Sequence, residues 1–503
     1  MTDALQASYD ELAYQSFPFA QTHPDRLATL GWLFGLTPAP IARCRVLEIG
    51  CSSGGNLIPL AATLPQSEFV GIDFSAGEID DGKADVAALS LGNVRLMQMD
   101  IKDFGDEFGT FDYIVAHGVY SWVSNDVQDK LLAICARQLS PCGIAYVSYN
   151  TLPGWRMRGA VREAMRYHTR QFSDAKTRVA QARAMLDFLA ESLQGDTSAY
   201  GVMLREEAER VRQQADFYIF HDYLEEVNEP LYFHQFIERA TRQGLRYLAE
   251  ADFRSMLAGD LAPQVVQTLS RIAADLLQRE QFMDFLRNQA FRQTLLVHEG
   301  ATPTRKLSPE RVFGLRISTR AQPARVTPDE GSSAPEHFRA PDGSSLTTQR
   351  PLTKAAMMCL AHCSPAAIAF DELCALANAR LGVCGGVATD QRDALASDLM
   401  QCFAAGVVEL HSAPSPFVIE AGARPEASAV VRLQASRGAQ VTNLRHEVVN
   451  LNEDARRLLR MLDGSRTQAE IAAIVWPGES AEAALAKLRP ALAQIARQAF
   501  LVR

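Results

Sequence analysis

Between Arg45 and Gly55 the chain reads Arg-Val-Leu-Glu-Ile-Gly-Cys-Ser-Ser-Gly-Gly, and no other stretch limits the fold as tightly. Residues 46–49 are a short apolar run of the kind that forms a buried strand. The residues from Gly50 to Gly55 are all small, so the backbone is free to turn tightly there. Leu57, Ile58, Leu60 and Leu64 then mark a helix that Pro65 stops. A strand, a glycine loop and a helix start together offer backbone N–H groups to a ligand at the carboxyl edge of a sheet. A second apolar run, residues 69–73, ends in Asp73. An acidic residue about 20 positions after such a loop is placed to accept hydrogen bonds from ribose hydroxyls.

Two other chemistries share part of this pattern. Gly50-Cys51-Ser52-Ser53-Gly54 fits the Gly-x-Ser-x-Gly elbow of hydrolases, with Ser52 as nucleophile. That reading leaves Asp73 unexplained, and also Asp100, which ends a third apolar run. A dinucleotide fold asks for Gly-x-Gly-x-x-Gly, and the spacing from Gly50 to Gly54 is one residue short of it.

Glu48-x-Gly50-x-x-x-Gly54, then Asp73, then Asp100 resembles class I S-adenosylmethionine-dependent methyltransferases. Further segments narrow the resemblance. Tyr9-Asp10-Glu11 and Thr22-His23-Pro24-Asp25 precede the first strand. His117-Gly118-Val119-Tyr120-Ser121-Trp122 follows the fourth, and Asn150-Thr151-Leu152-Pro153-Gly154-Trp155 the fifth. His221-Asp222-Tyr223-Leu224-Glu225-Glu226 comes later, and Thr442-Asn443-Leu444-Arg445-His446-Glu447 near the C-terminus. Together they resemble bacterial methyltransferases with a regulatory domain, a group that includes lysine methyltransferases of outer-membrane proteins.

The resemblance implies S-adenosyl-L-methionine as cofactor and transfer to lysine side chains of a protein. A small-molecule methyltransferase and a non-enzymatic cofactor-binding regulatory protein stay open beside it. It also implies roles. Gly50, Cys51 and Gly54 form the loop against the amino-acid end of the cofactor. Glu48 either holds its ammonium or braces the loop. Asp73 takes the ribose hydroxyls, Phe74 covers the adenine or packs in the core, and Asp100 with Ile101 reads the adenine amino group or starts a helix. His117 borders the methionine part. Tyr120 and Trp122 either form an aromatic wall around an amine, since aromatic faces hold cations, or are buried under the helical insertion. Asn150 either offers its amide oxygen to that amine or braces the turn at Pro153-Gly154, and Tyr14 belongs to an aromatic segment that either closes over the site or straps onto the sheet. His221, Asp222, Glu225 and Glu226 lack metal spacing and read as an acidic rim that attracts a lysine.

Composition narrows the class. At 503 residues the chain is too long for one core. The longest apolar runs fall short of the roughly 20 residues that a membrane helix needs. Nine scattered cysteines suit reduced thiols and a cytoplasmic setting, and no secretory signal is visible at the start. A net charge of −9 disfavours nucleic acid as the main partner, and not a lysine-bearing protein.

Strand runs over residues 46–49, 69–73, 94–100, 111–116 and 143–148 alternate with helical ones at 84–91 and 127–139. This predicts an α/β fold, a doubly wound Rossmann-like sheet with helical insertions. Residues 1–40 read as an N-terminal lid segment and 41–154 as the cofactor-binding core. Residues 155–300 read as a helical, regulatory insertion whose last two strands, 245–248 and 294–298, complete the sheet. The Pro-, Ser- and Gly-rich stretch puts a linker at 301–349. Residues 350–503 read as a smaller winged-helix-like α+β domain, with helices at 352–361, 370–380 and 391–405 and a turn at Pro414-Ser415-Pro416.

Overall fold

The computed structural model describes residues 16–383 and 386–502. Its centre is a seven-stranded sheet built from β1 (Arg45–Ile49), β2 (Glu68–Asp73), β3 (Val94–Gln98), β4 (Phe111–Ala116), β5 (Leu139–Asn150), β6 (Leu245–Glu250) and β7 (Phe291–His298). The spatial order is β3-β2-β1-β4-β5-β7-β6. The first five strands are parallel, and only β7 runs against its neighbours. Helices cover both faces, so the central strands carry apolar residues on both sides: Val46, Leu47 and Ile49 are all buried. The chain order reverses between β1 and β4, and the crevice at such a switch point is where an open parallel sheet takes its ligand.

The expected completion of the sheet by two late strands holds, and the inserted helices sit between them and β5. Trp155–Thr169, Ala175–Ser192 and Ala199–Arg212 form a bundle with its own core of Val161, Met165, Val179, Leu186, Leu204 and Val211. A short π-helical turn, Ile219–Tyr223, closes it and carries His221 and Asp222. Such turns are rare and recur at functional sites.

Three expectations change. Residues 301–349 are not a linker. Arg316–Thr319 is the central strand of a three-stranded sheet with Ile368–Ala369 and Val408–His411. Gln322–Pro323, Glu336–Arg339 and Ser345–Thr348 form a second antiparallel sheet. The turn-forming composition reflects tight reversals between strands, while Ile317, Ala321 and Phe338 are completely buried. Residues 350–503, read as one domain, split into two cores. Helices Pro351–Cys363, Phe370–Arg380 and Thr389–Ala404 pack in the core that underlies the main sheet, and residues 427–501 enclose another. The N-terminal segment is as much strap as lid: helix Pro24–Leu33 buries Leu27, Leu30 and Leu33, whereas Ser16 to Phe19 lie across the glycine loop.

Candidate active site

The loop after β1 turns on three left-handed residues, Gly50 (φ 74°), Ser52 (φ 48°) and Gly54 (φ 77°). At Gly50 a Cβ would stand 2.3 Å from Val119 Cγ2, so only glycine fits beneath the segment that follows β4. Asp73 ties the loop to the end of β2. Its Oδ2 accepts from Ser52 N–H (2.8 Å) and its Oδ1 from Ser75 N–H (2.9 Å). Burial pushes its carboxyl above the ordinary value, opposed by the N–H groups of Ser75, Ser52 and Phe74.

Ser52 Oγ donates to Glu78 Oε2 at 2.8 Å. Among the described residues no imidazole bonds this hydroxyl, so the hydrolase alternative lacks its base.

Above the loop lies a cleft of about 530 Å³. The ends of β2 and β3 give it Asp73, Phe74, Met99 and Ile101; the ends of β4 and β5 give it His117, Trp122 and Asn150; Glu48, Gly50 and Cys51 form its floor. Phe17 and Phe19 cover it from the N-terminal segment, and Trp155, Arg158, Tyr218, His221 and Asp222 enclose it from the helical insertion.

Glu48 is buried with only half its carboxylate satisfied. Oε1 accepts from Asn56 Nδ2 at 2.9 Å, and Oε2 has no partner. Burial pushes the acid up to about 8, with the Asn56 hydrogen bond opposing and the Asp73 charge adding. A raised carboxyl pKa means that the folded chain holds a proton that the unfolded chain releases. Stability from this group is therefore present below about 4.5 and is lost as pH rises towards 8. We expect the ligand-free protein to melt progressively lower from pH 5 to 8, and Glu48→Gln to flatten that slope; thermal denaturation across the range measures it, and parallel slopes count against the buried acid.

His117 donates or accepts at Nδ1 with the Tyr146 hydroxyl (2.8 Å), and its ring lies 4.0 Å from that of Phe19. Burial lowers it to about 4, so the imidazole is neutral at physiological pH. Asn150 is buried, with its N–H on Ser121 Oγ (2.8 Å) and its side-chain Nδ2 unpartnered. Trp122 meets Trp155 edge to face at 6.1 Å.

Three expected site residues stand elsewhere, and a fourth is not described. Tyr120 is fully buried in the core beneath the site, edge-on to Phe236 at 5.2 Å, so the second aromatic beside Trp122 is Trp155. Asp100 caps the turn Ile101–Asp103 through Lys102 N–H (3.0 Å), while its neighbours Met99 and Ile101 face the cleft. Gly54 supports the loop from behind, against Leu96 and Ile58. Tyr14 lies outside the described residues. Cys51 lines the floor with a thiol that burial holds far above its ordinary value, so it packs rather than reacts.

Sequence reasoning missed Asn56, Glu78 and Arg158. The only advance signal for Glu78 was its place three residues after Ser75, which caps the helix Ala76–Ala88. Among the described residues, no group of three His, Cys, Asp or Glu side chains is placed to hold a metal, and no helix is long and apolar enough to cross a membrane.

Three family models match: a methyltransferase domain over residues 46–143, a predicted methyltransferase regulatory domain over 215–298, and the PKMT C-terminal winged helix domain over 423–485. The last falls within the winged-helix-like region expected at 350–503, on the second of its two cores. An uncharacterized protein of Rickettsia prowazekii (strain Madrid E), RP789, is 35% identical over 95% of this chain and 87% of its own length. PKMT2 from Rickettsia typhi superposes with a TM-score of 0.86 at 30% identity, over 97% of this chain and all of that one. Its complex with AdoHcy gives a TM-score of 0.85 at the same identity. The glycine loop, the strand order 3-2-1-4-5-7-6 and this end-to-end likeness converge: the chain belongs to the S-adenosylmethionine-dependent methyltransferases built like PKMT2, with a regulatory domain and a C-terminal winged helix.

Proposed function

We propose that this methyltransferase acts on lysine side chains of a protein, in the cytoplasm. The observation that carries the reading is the β4–β5 side of the cleft, where Trp122 and Trp155 stand with the Asn150 amide and the Asp222 carboxylate. Indoles accept the methylenes and the cation of a lysine, and a carboxylate holds its ammonium. The likeness to PKMT2, a protein lysine methyltransferase, supports the same acceptor. The eight described cysteines are free thiols, which suits a reducing compartment.

S-adenosylmethionine supplies the methyl group on a sulfonium that is itself the leaving group. The unpartnered Glu48 Oε2 fits its ammonium, and the cradle at Gly50, closed to any Cβ, fits a close approach of backbone. Asp73 is assigned to the ribose, Phe74, Met99 and Ile101 to the adenine side, and neutral His117 to the methionine part. The protein's work is to position the amine and exclude water, with Phe17 and Phe19 as cover. Asp222 is lifted to about 6 by burial, against the Tyr218 hydroxyl and the Arg158 and Arg162 charges. Above that value it is ionised and holds the incoming ammonium; below it the attraction is lost.

Asp222→Asn is expected to lower transfer about 10- to 100-fold, as loss of a charged hydrogen bond does, and to leave cofactor affinity within about twofold. The wild type is expected to lose kcat/KM more steeply below about pH 6 than deprotonation of the amine alone requires, and Asp222→Asn to lose that extra steepness. Equal loss of cofactor binding moves Asp222 out of the acceptor end. The acceptor class is tested with labelled methyl groups in a whole-cell extract. Methyl-lysine in the protein hydrolysate is the expected product, and label confined to small molecules overturns the proposal.

A further inference from the structure

The motif from Thr442 to Glu447 lies some 390 residues from the glycine loop in sequence, yet it reaches the cofactor end of the cleft. Strands Gln440–Thr442 and Val448–Asn450 form a hairpin in the C-terminal unit, and residues 443–447 are its turn. The turn is built firmly. Asn443 Oδ1 accepts from Arg445 N–H and Glu447 N–H, both at 3.0 Å, and Leu444 N–H donates to Ala499 O at 2.8 Å. Arg445 forks onto Glu409 at 2.8 and 3.0 Å. This fixes His446 at φ 62°, a left-handed position where glycine or asparagine is cheaper. The side chain there is buried and leaves its own unit altogether.

Its Nε2 lies 2.7 Å from Asn56 Oδ1. The orientation of Asn56 is not arbitrary. Phe19 N–H donates to the same Oδ1 at 2.9 Å, so that atom must be the oxygen. His446 Nε2 therefore carries the proton and donates. The Asn56 nitrogen then faces Glu48 Oε1 at 2.9 Å and leaves Glu48 Oε2 buried and unpartnered at the floor of the cleft that Glu48 lines. Burial keeps His446 neutral, with the neighbouring His23 imidazole, 5.5 Å away edge to face, acting in the same direction. The unit has a second hold on this side of the sheet through the ion pair of Arg437 with Asp85.

We infer that the C-terminal unit completes the cofactor site: His446 is a positioning residue that acts through Asn56 to aim the Glu48 carboxylate at the cofactor's ammonium. The inference rests on the assignment of Glu48 to that ammonium. Asn56 is the junction, since one amide gathers the N-terminal strap at Phe19, the floor of the cleft at Glu48 and the C-terminal hairpin at His446. Without the hairpin Asn56 keeps Phe19 N–H and the Thr22 hydroxyl but loses the His446 N–H on its oxygen, which loosens the aim of Glu48, so the position of the C-terminal unit is read out as affinity for the amino-acid end of the cofactor.

The test compares two ligands by calorimetry on the full chain. S-adenosylhomocysteine carries the ammonium, whereas 5′-methylthioadenosine has the same nucleoside without the amino-acid end. His446→Asn suits the left-handed backbone but is too short to reach Asn56, and His446→Phe keeps the ring without the donor. Both are expected to weaken S-adenosylhomocysteine about five- to tenfold, the range of one hydrogen bond, and to leave methylthioadenosine within about twofold. His446→Gln, which keeps an N–H donor at similar reach, should restore most of the loss. Equal weakening of both ligands, no weakening, or a Gln variant as poor as Phe overturns the inference. Glu48→Gln separates the two claims. If it selectively weakens S-adenosylhomocysteine while the His446 variants do not, the relay alone falls. If it has no selective effect, the ammonium assignment falls and the relay with it.

Discussion

Replacing Arg292 by methionine is expected to destabilise the sheet domain by about 3–5 kcal/mol, the cost of breaking a buried ion pair from one side. Arg292 lies on β7 and is almost fully buried. Its guanidinium reaches Glu250 at 2.7 Å, Asp284 at 2.8 Å and Glu280 at 3.2 Å, and lies 4.0 Å over the ring of Phe233. One cation thus holds β6, β7 and the helix Leu276–Arg287 together. Burial already lifts Glu280 to about 7 and Asp284 to about 6, with the Arg292 charge pulling both down. Without that charge the carboxylates take up protons more readily, so the variant recovers stability as pH falls and the gap from wild type is widest at pH 8. Urea denaturation followed by tryptophan fluorescence reads this, since Trp32, Trp122 and Trp155 all lie in the methyltransferase half. A loss below about 1 kcal/mol, or a gap that does not narrow towards pH 5, refutes it. Phe291, the preceding residue, lines the cleft, so a loosened β7 should also raise the KM for the acceptor.

The sequence shows clearly what depends on short-range chemistry. The loop from Gly50 to Gly54 needs left-handed backbone, which glycine supplies and the residue string displays. The strand runs of the sheet are apolar on both faces, because helices cover both, and that too is visible in one dimension. Tyr120 shows where such reading fails. An aromatic one turn after a strand end serves equally as a wall of the cleft or as part of the core, and only packing against Phe236 and Tyr149 decides. Residues 301–349 misled for a different reason: proline, serine and glycine mark reversals of direction, and reversals occur between paired strands as well as in linkers. His446 was legible only as a member of a motif and Asn56 not at all, since a contact across some 390 residues leaves no local periodicity. Glu78 had a local explanation as a residue of a helix first turn, which hid its hydrogen bond to Ser52.

Asp73→Ala should weaken both S-adenosylhomocysteine and 5′-methylthioadenosine by about 100-fold. Two charge-assisted hydrogen bonds to the ribose hydroxyls, at about 1.5 kcal/mol each, are enough for that. Both ligands carry the ribose, so both should suffer, unlike the selective loss expected from Glu48→Gln. The two Asp73 oxygens already accept from Ser52 N–H and Ser75 N–H, and each oxygen has a second lone pair left for a ligand. A loop-bracing role alone would also lower affinity when the side chain is removed, so the variant by itself does not separate the two. A cycle with 5′-methylthio-2′-deoxyadenosine does. If Asp73 holds the 2′-hydroxyl, the wild type should bind the deoxy ligand about tenfold more weakly than its parent, and Asp73→Ala should bind the two alike. Independent, additive losses would mean that Asp73 shapes the loop and another group reads the ribose. In that case Glu78, which also lines the cleft and has one oxygen without a partner, is the next carboxylate to replace.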